Sequence, residues 1–216
     1  MAETEGLDRE EKTDPQGRAY PPGRIKIAHA LKQLLEQKDF NAITTAEIAK
    51  TAGVAEALIY KYFGDKRGLL HQVLKEYLEE YFSRFEQDLK GIKGSLNKLR
   101  KQIWGHINVY ATNRVFARIL LLEVRSYPDY YRSETYELVK KYSNLLLDII
   151  EEGVGEGEIR GDVPPKFLRQ VILGGIEHLC LTGVIFQREI SQDDLTEDFC
   201  KLLFDGIRPR RKQVRP

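Results

Sequence analysis

The chain has 216 residues, 42% of them hydrophobic and 31% charged, with a formal net charge of +1. That is enough apolar material for one large or two small cores, and it excludes a disordered coil and a polybasic coat protein. Two cysteines, Cys180 and Cys200, exclude a disulfide-stapled scaffold; free buried thiols in a reducing compartment are the simpler reading, a disulfide the other.

Residues 1–23 carry six acids against three bases and almost no apolar residues, and they end in Pro21-Pro22-Gly23. This predicts a disordered acidic tail with none of the marks of a signal peptide. A first helix follows from Arg24 to Gln37, with Ile27, Leu31, Leu34 and Leu35 on one face. Phe40, after the break at Lys38-Asp39, is placed to plug the core of a small three-helix domain.

The stretch Thr44–Phe63 organises the chain. Thr44 can cap a helix and Glu47, three residues on, can reach back to the Thr44 N–H, forming a capping box. Ile48, Ala49 and Ala52 recur at helical spacing, and Gly53 stands where a left-handed residue would end the helix. Val54 fits the bend, and Ala55 to Tyr62 predicts a second short helix with Ile59 facing the first. Small residue, glycine and hydrophobe at these intervals have helix-turn-helix spacing; an ordinary helical hairpin is the plainer alternative. Residues 24–70 hold eight bases against five acids, a local excess compatible with phosphate contact.

Asp65 is a candidate N-cap for a long fourth helix, from Lys66 to about Lys90, with a wide apolar stripe from Leu69 to Phe85. Gly91 and Gly94 stop it. Ser95 then caps a helix to about Ala111, Asn113 one that ends at Tyr127-Pro128, and Ser133 one that reaches about Glu156. After the connector GEGEIRGDVPP, Pro164 and Pro165 suit the first turn of a helix to about Arg188. Ser191 with Asp194 opens the last, closed by Gly206, and a basic tail covers 208–216. No period-2 run or hairpin turn signal is present. The expected fold is all-α, about nine helices: a helix-turn-helix domain at 24–70 and a larger helical bundle at 71–207 for ligand binding and dimerisation. No apolar run approaches the ~20 residues of a membrane span, so no membrane is expected and the location should be cytoplasmic.

The pattern T-x-x-I-A-x-x-A-G-V, followed by L-I-Y-K-Y-F and a capped long helix, resembles the TetR/AcrR family of transcriptional regulators over about residues 25–70. The C-terminal part is similar in organisation, including the phrase LLLEVRSYPDYY. The resemblance implies a homodimer on double-stranded DNA at a palindromic operator, with recognition helices in successive major grooves roughly 34–36 Å apart. It also implies a repressor released when a small hydrophobic effector enters the bundle and swings the fourth helix. Family members often carry Ser or Thr, Lys or Arg, Gly, and Thr where this chain has Ala55, Glu56, Ala57 and Leu58. Ala55, Ala57 and Leu58 are therefore expected to meet thymine methyls and Glu56 a cytosine amine, with more reliance on phosphate clamps and DNA shape.

Those clamps are expected from Tyr60, Lys61, Tyr62, Lys66, Arg24 and the helix start at Thr44 and Thr45; the alternative for Tyr60 or Tyr62 is packing on the first helix. Polar and aromatic residues inside apolar helices nominate an effector site: Trp104, His106, Tyr110, Phe116, Leu120, Glu123, Glu177 and His178. Each has plain core packing or simple exposure as its alternative. A dimer seam is expected on the last two helices, through Val171, Gly174, Gly175, Leu179, Thr182, Gly183 and Phe186, unless the glycines only relieve crowding within a subunit. Control by a protein partner, or by nothing, is the rival reading. A helical-bundle enzyme is remote, since no His stands three residues after a Glu and GVGEGEIRG follows a helix rather than a strand. No metal and no cofactor are expected.

Overall fold

The computed structural model describes residues 19–209, so most of the expected acidic tail and residues 210–216 of the basic tail lie outside the described residues. Among the described residues every element is helical: α1 (Pro22–Gln37), α2 (Thr45–Ala52), α3 (Ala57–Phe63), α4 (Lys66–Asp88), α5 (Ser95–Thr112), α6 (Arg114–Arg118), α7 (Glu134–Gly155), α8 (Pro165–Phe186) and α9 (Gln192–Ile207). The chain divides into two compact units between Val73 and Leu74, part-way along α4.

In the first unit α1 starts two residues before Arg24, because Pro22 sits in a first turn that needs no N–H from it. Its buried face, Ile27 to Leu35, packs against α2 and α3, and Phe40 closes the core from a 3-10 turn. Thr44 Oγ accepts the Glu47 N–H at 3.1 Å, so half of the capping box is made. The other half is weak: the Lys38 ammonium takes the Glu47 carboxylate and holds its pKa below the usual range, with Thr44 a lesser contributor. Gly53 is left-handed, φ 64°, and the bonds Val54 N–H to Ala49 O and Gly53 N–H to Lys50 O close α2 in a Schellman turn. Ala55 and Glu56 form a turn ahead of α3 rather than its first residues. Asp65 caps α4 by accepting the Gly68 N–H at 2.7 Å. A Cβ on Gly68 would lie 2.0 Å from the Phe63 carbonyl oxygen, so the turn from α3 into α4 is tight enough to require glycine.

In the second unit α5 is the central element, packed against α7, α8 and α9. Its expected cap, Ser95, is instead its first residue and is buried; the Glu158 carboxylate accepts the Leu96 N–H at 3.1 Å in its place. The expected continuous helix from Asn113 to Tyr127 is broken. Asn113 caps α6 through the Phe116 N–H, but α6 ends at Arg118. A π-turn (Ile119–Glu123) and two 3-10 turns (Val124–Ser126, Pro128–Arg132) follow, with the Val124 N–H reaching back to Ile119 O. Ser133 caps α7 as expected. Both cysteines are buried and free.

Candidate DNA-binding and effector sites

The exposed surface of α3 and the turn before it carries Ala55, Ala57, Lys61 and the half-exposed Tyr60 (51%). Several residues expected on that surface are engaged elsewhere. Glu56 accepts the Thr45 hydroxyl, which also lies 3.4 Å from Tyr60 Oη. The carboxylate expected to read cytosine and the hydroxyl expected to seat a phosphate thus tie α3 to the start of α2. Lys66 is turned inward: its Nζ donates to Phe40 O at 2.9 Å and Ile43 O at 2.6 Å and lies 4.3 Å over the Phe40 ring. It holds the segment before α2, which corrects its reading as a phosphate clamp.

Of the two tyrosines, Tyr62 is the one that packs on α1. It is half-buried, and with Leu58 it lies within 4 Å of where a Gly23 Cβ would be. Leu58 is half-buried for the same reason and is less open to a thymine methyl than Ala55 or Ala57. Arg24 stacks its guanidinium on Tyr20 at 3.7 Å and nears the Phe63 ring at 5.1 Å, so these two rings hold it.

The second unit holds a half-open cavity of about 70 Å³, lined largely by apolar side chains. Five of the nominated residues meet there: His106 and Tyr110 from α5, Phe116 from α6, Leu120 from the π-turn and Glu177 from α8. Three do not. Trp104, two residues from His106 and so on another side of α5, donates its indole N–H to Asp193 at 2.9 Å and lies under Lys101. Glu123 is half-buried outside the lining, and His178 is exposed, one step around α8 from Glu177.

Around the cavity the polar groups are unevenly satisfied. Arg125 donates to both Glu177 oxygens, at 2.8 and 2.6 Å, and this bond raises the Arg125 pKa further. His106 Nε2 lies 3.0 Å from Tyr110 Oη, and burial pushes the imidazole down to about 4, against a weaker upward pull from Glu177. It is neutral at pH 7. Burial likewise raises the Tyr81 and Tyr142 phenols, which stay protonated donors. Sequence reasoning missed Arg125, Tyr81, Phe82, Val109, Tyr142 and Leu173, all of which line the cavity. Tyr81 and Phe82 read as ordinary stripe residues, Tyr142 carried no signal of its own, and the Arg125–Glu177 pair joins positions 52 apart.

The family model of bacterial regulatory proteins of the tetR family matches residues 27–73, and that of the C-terminal region of YsiA-like proteins matches residues 74–206. The fatty acid metabolism regulator protein of Bacillus subtilis (strain 168) is 30% identical over 186 residues, covering 86% of this chain and 96% of that protein. The chain belongs to the TetR family. It is a DNA-binding transcriptional regulator with its helix-turn-helix in the N-terminal unit. Among solved structures, the regulator FadR from Bacillus subtilis in complex with stearoyl-CoA matches with a TM-score of 0.76 at 30% identity, over 85% of this chain and 98% of that one. The fatty acid degradation regulator FadR from Bacillus halodurans matches with 0.77 at 25% identity, over 88% and 99%.

In this TetR-family chain α8 departs from expectation twice. Its 22 residues are long and apolar enough to cross a membrane by length and composition, with mean hydropathy 1.3 in its most apolar window, although no such run was expected. Only a third of that window is buried. The exposed part is a stripe, with Phe167, Val171, Gly174, Thr182 and Phe186 (63%) uncovered and Leu179 alongside. Gly175 and Gly183 belong to the inner face instead. A Cβ on Gly175 would meet the Phe199 ring at 2.8 Å and one on Gly183 the Ile190 side chain at 2.5 Å, so these two glycines serve packing within the subunit.

Proposed function

We propose that this TetR-family regulator is a homodimeric repressor that leaves a palindromic operator when a long-chain acyl thioester enters the cavity of its C-terminal unit. The observation that carries the reading is that cavity: an apolar chamber with a few convergent polar groups, Arg125, Glu177, His106 and the buried tyrosines, at one wall. The relative crystallised with stearoyl-CoA supplies the ligand class. On DNA, Ala55 and Ala57 face thymine methyls, while Lys61, Tyr60, Arg24 and the α2 N-terminus at Thr44 contact phosphates. The apolar stripe of α8 through Val171, Gly174 and Phe186 is covered by a second copy of the chain. The protein works in the cytoplasm, by binding rather than catalysis.

The cavity volume supports reading this as the state before the ligand enters. About 70 Å³ is far below the roughly 300–1,000 Å³ of a drug-sized ligand site, so the chamber is contracted and an acyl chain must force its wall apart. The wall that departs from α-helical hydrogen bonding is the π-turn segment at Leu120. A ligand that fits only the expanded chamber shifts the population toward it, which is the condition for control. The same smallness favours a second reading, a repressor with no small effector.

Selection of bound DNA from a random pool, run with and without stearoyl-CoA, separates the two. The proposal expects a two-fold symmetric sequence recovered without the ligand and lost with it. Recovery under both conditions supports the rival, and an asymmetric sequence argues against the dimer.

A further inference from the structure

One wall of the C-terminal cavity carries more hydrogen-bonding capacity than the protein uses. Tyr81 Oη, Tyr142 Oη and His106 Nδ1, on residues that line it, are buried without a hydrogen-bond partner, and so are both amide atoms of Gln102 outside the lining. Tyr81 and Tyr142 face each other, and Tyr142 faces the Gln102 amide, closely enough for side-chain hydrogen-bonding contact to bear on the phenols' protonation, although no pair closes to full hydrogen-bond geometry. Buried polar groups are ordinarily satisfied, and this many orphans in one place calls for an occupant. The groups are held firmly. Tyr81 stacks on Phe85 (5.7 Å, 17°), Tyr142 stacks on Phe82 (5.5 Å, 10°), and His106 sets its edge against Tyr142 at 5.3 Å. Gly105 gives these rings room, since a Cβ there would lie 3.1 Å from Tyr81 Oη and 3.2 Å from the Phe85 ring. Gln102, Gly105 and His106 share one face of α5, at intervals of three and four.

The chemistry narrows the occupant. Tyr81 and Tyr142 each offer an O–H, and a carbonyl oxygen has two lone pairs to receive them. A carboxylate would want a cation, but Arg125 is already taken by both oxygens of Glu177. A bare hydrocarbon would leave the whole wall unsatisfied. We propose that Tyr81 and Tyr142 form a subsite for the neutral carbonyl oxygen of the effector, so that the cavity distinguishes an acyl thioester from an alkyl chain of equal length and from the free acid. The inference rests on the acyl-thioester reading above and adds the residues that recognise the acyl group.

The test compares stearoyl-CoA, S-octadecyl-CoA, in which a methylene replaces the carbonyl, and stearate, by calorimetric titration of the full chain. Wild type should bind the thioester about tenfold more tightly than the thioether, as expected for the loss of one or two buried hydrogen bonds, and stearate more weakly still. Tyr142→Phe and Tyr81→Phe, which keep the ring packing, should lose that preference by weakening the thioester while leaving the thioether unchanged. Equal binding of the two CoA compounds by wild type, as when ordered water satisfies the wall, overturns the subsite alone. Binding of neither overturns the acyl-thioester reading and the subsite with it.

Discussion

Lys66 and Lys61 make opposite predictions, though both are lysines of the DNA-binding unit. Lys66 donates two charge-assisted hydrogen bonds, to Phe40 O and Ile43 O, from a half-buried position. A hydrogen bond to a charged group contributes roughly 1.5–3 kcal/mol, and partial exposure lets water replace some of it. Lys66→Met, which keeps the stem over Phe40, should therefore destabilise the protein by about 2–3 kcal/mol. That is a large share of the roughly 5–15 kcal/mol typical of a folded domain. Urea unfolding should show a lowered midpoint at unchanged slope. Lys61 is exposed on α3 with its ammonium 5.8 Å from the Tyr62 ring centroid. Lys61→Ala should leave the midpoint in place but flatten the dependence of log affinity on log salt by about 0.9 for each phosphate that the ammonium neutralises. The reasoning is refuted if Lys66→Met flattens the salt dependence by about one unit without changing stability.

Three further outcomes follow from the geometry. Gly68→Ala puts a Cβ 2.0 Å from a backbone oxygen that no rotamer change can move, so it should cost about 3 kcal/mol or more; thermal unfolding at wild-type temperature would contradict the close approach. Gly174 has nothing within 4 Å of its would-be Cβ, whereas Gly175 faces Phe199. Gly174→Ala should weaken the dimer in sedimentation runs at graded concentration, while Gly175→Ala should cost about 1–2 kcal/mol of subunit stability and leave dimerisation alone; the reverse pattern would move the seam. His106 gives a pH signature. Its folded pKa of about 4 lies below the unfolded 6.5, so the unfolded chain binds the extra proton between those values. The stability contributed is fully present above 6.5 and is lost as pH falls toward 4, on the order of 3 kcal/mol in all. In urea unfolding at stepped pH, His106→Gln should show a shallower loss than wild type across that window; parallel curves would refute the buried neutral imidazole.

What the sequence made legible was local. The Thr44 cap, the Gly53 turn and the Asp65 cap each depend on residues within five positions of one another, and the structure forms all three. Long side chains were legible in position but not in partner. Glu47 goes to Lys38, Glu56 to Thr45 and Lys66 to two carbonyls more than twenty residues away, because a flexible stem reaches whatever the tertiary fold brings near. Around a helix, periodicity marks a buried stripe without ranking the polar residues beside it. Trp104 and His106 sit two residues apart on α5 and face different surroundings, as do Gly174 and Gly175 on α8. The π-turn at Ile119–Glu123 has no local signature, since an apolar run reads equally as continuous helix.

The central claim is that an acyl thioester in the C-terminal unit controls the affinity of the N-terminal unit for DNA. Fluorescence anisotropy of a labelled operator duplex, recovered by selection, tests it directly when titrated with protein in the absence and presence of saturating stearoyl-CoA. The account predicts an operator affinity at least about tenfold weaker with ligand, a coupling of roughly 1.4 kcal/mol or more. It also predicts no change with free CoA. Operator affinity unaltered by bound stearoyl-CoA would contradict it.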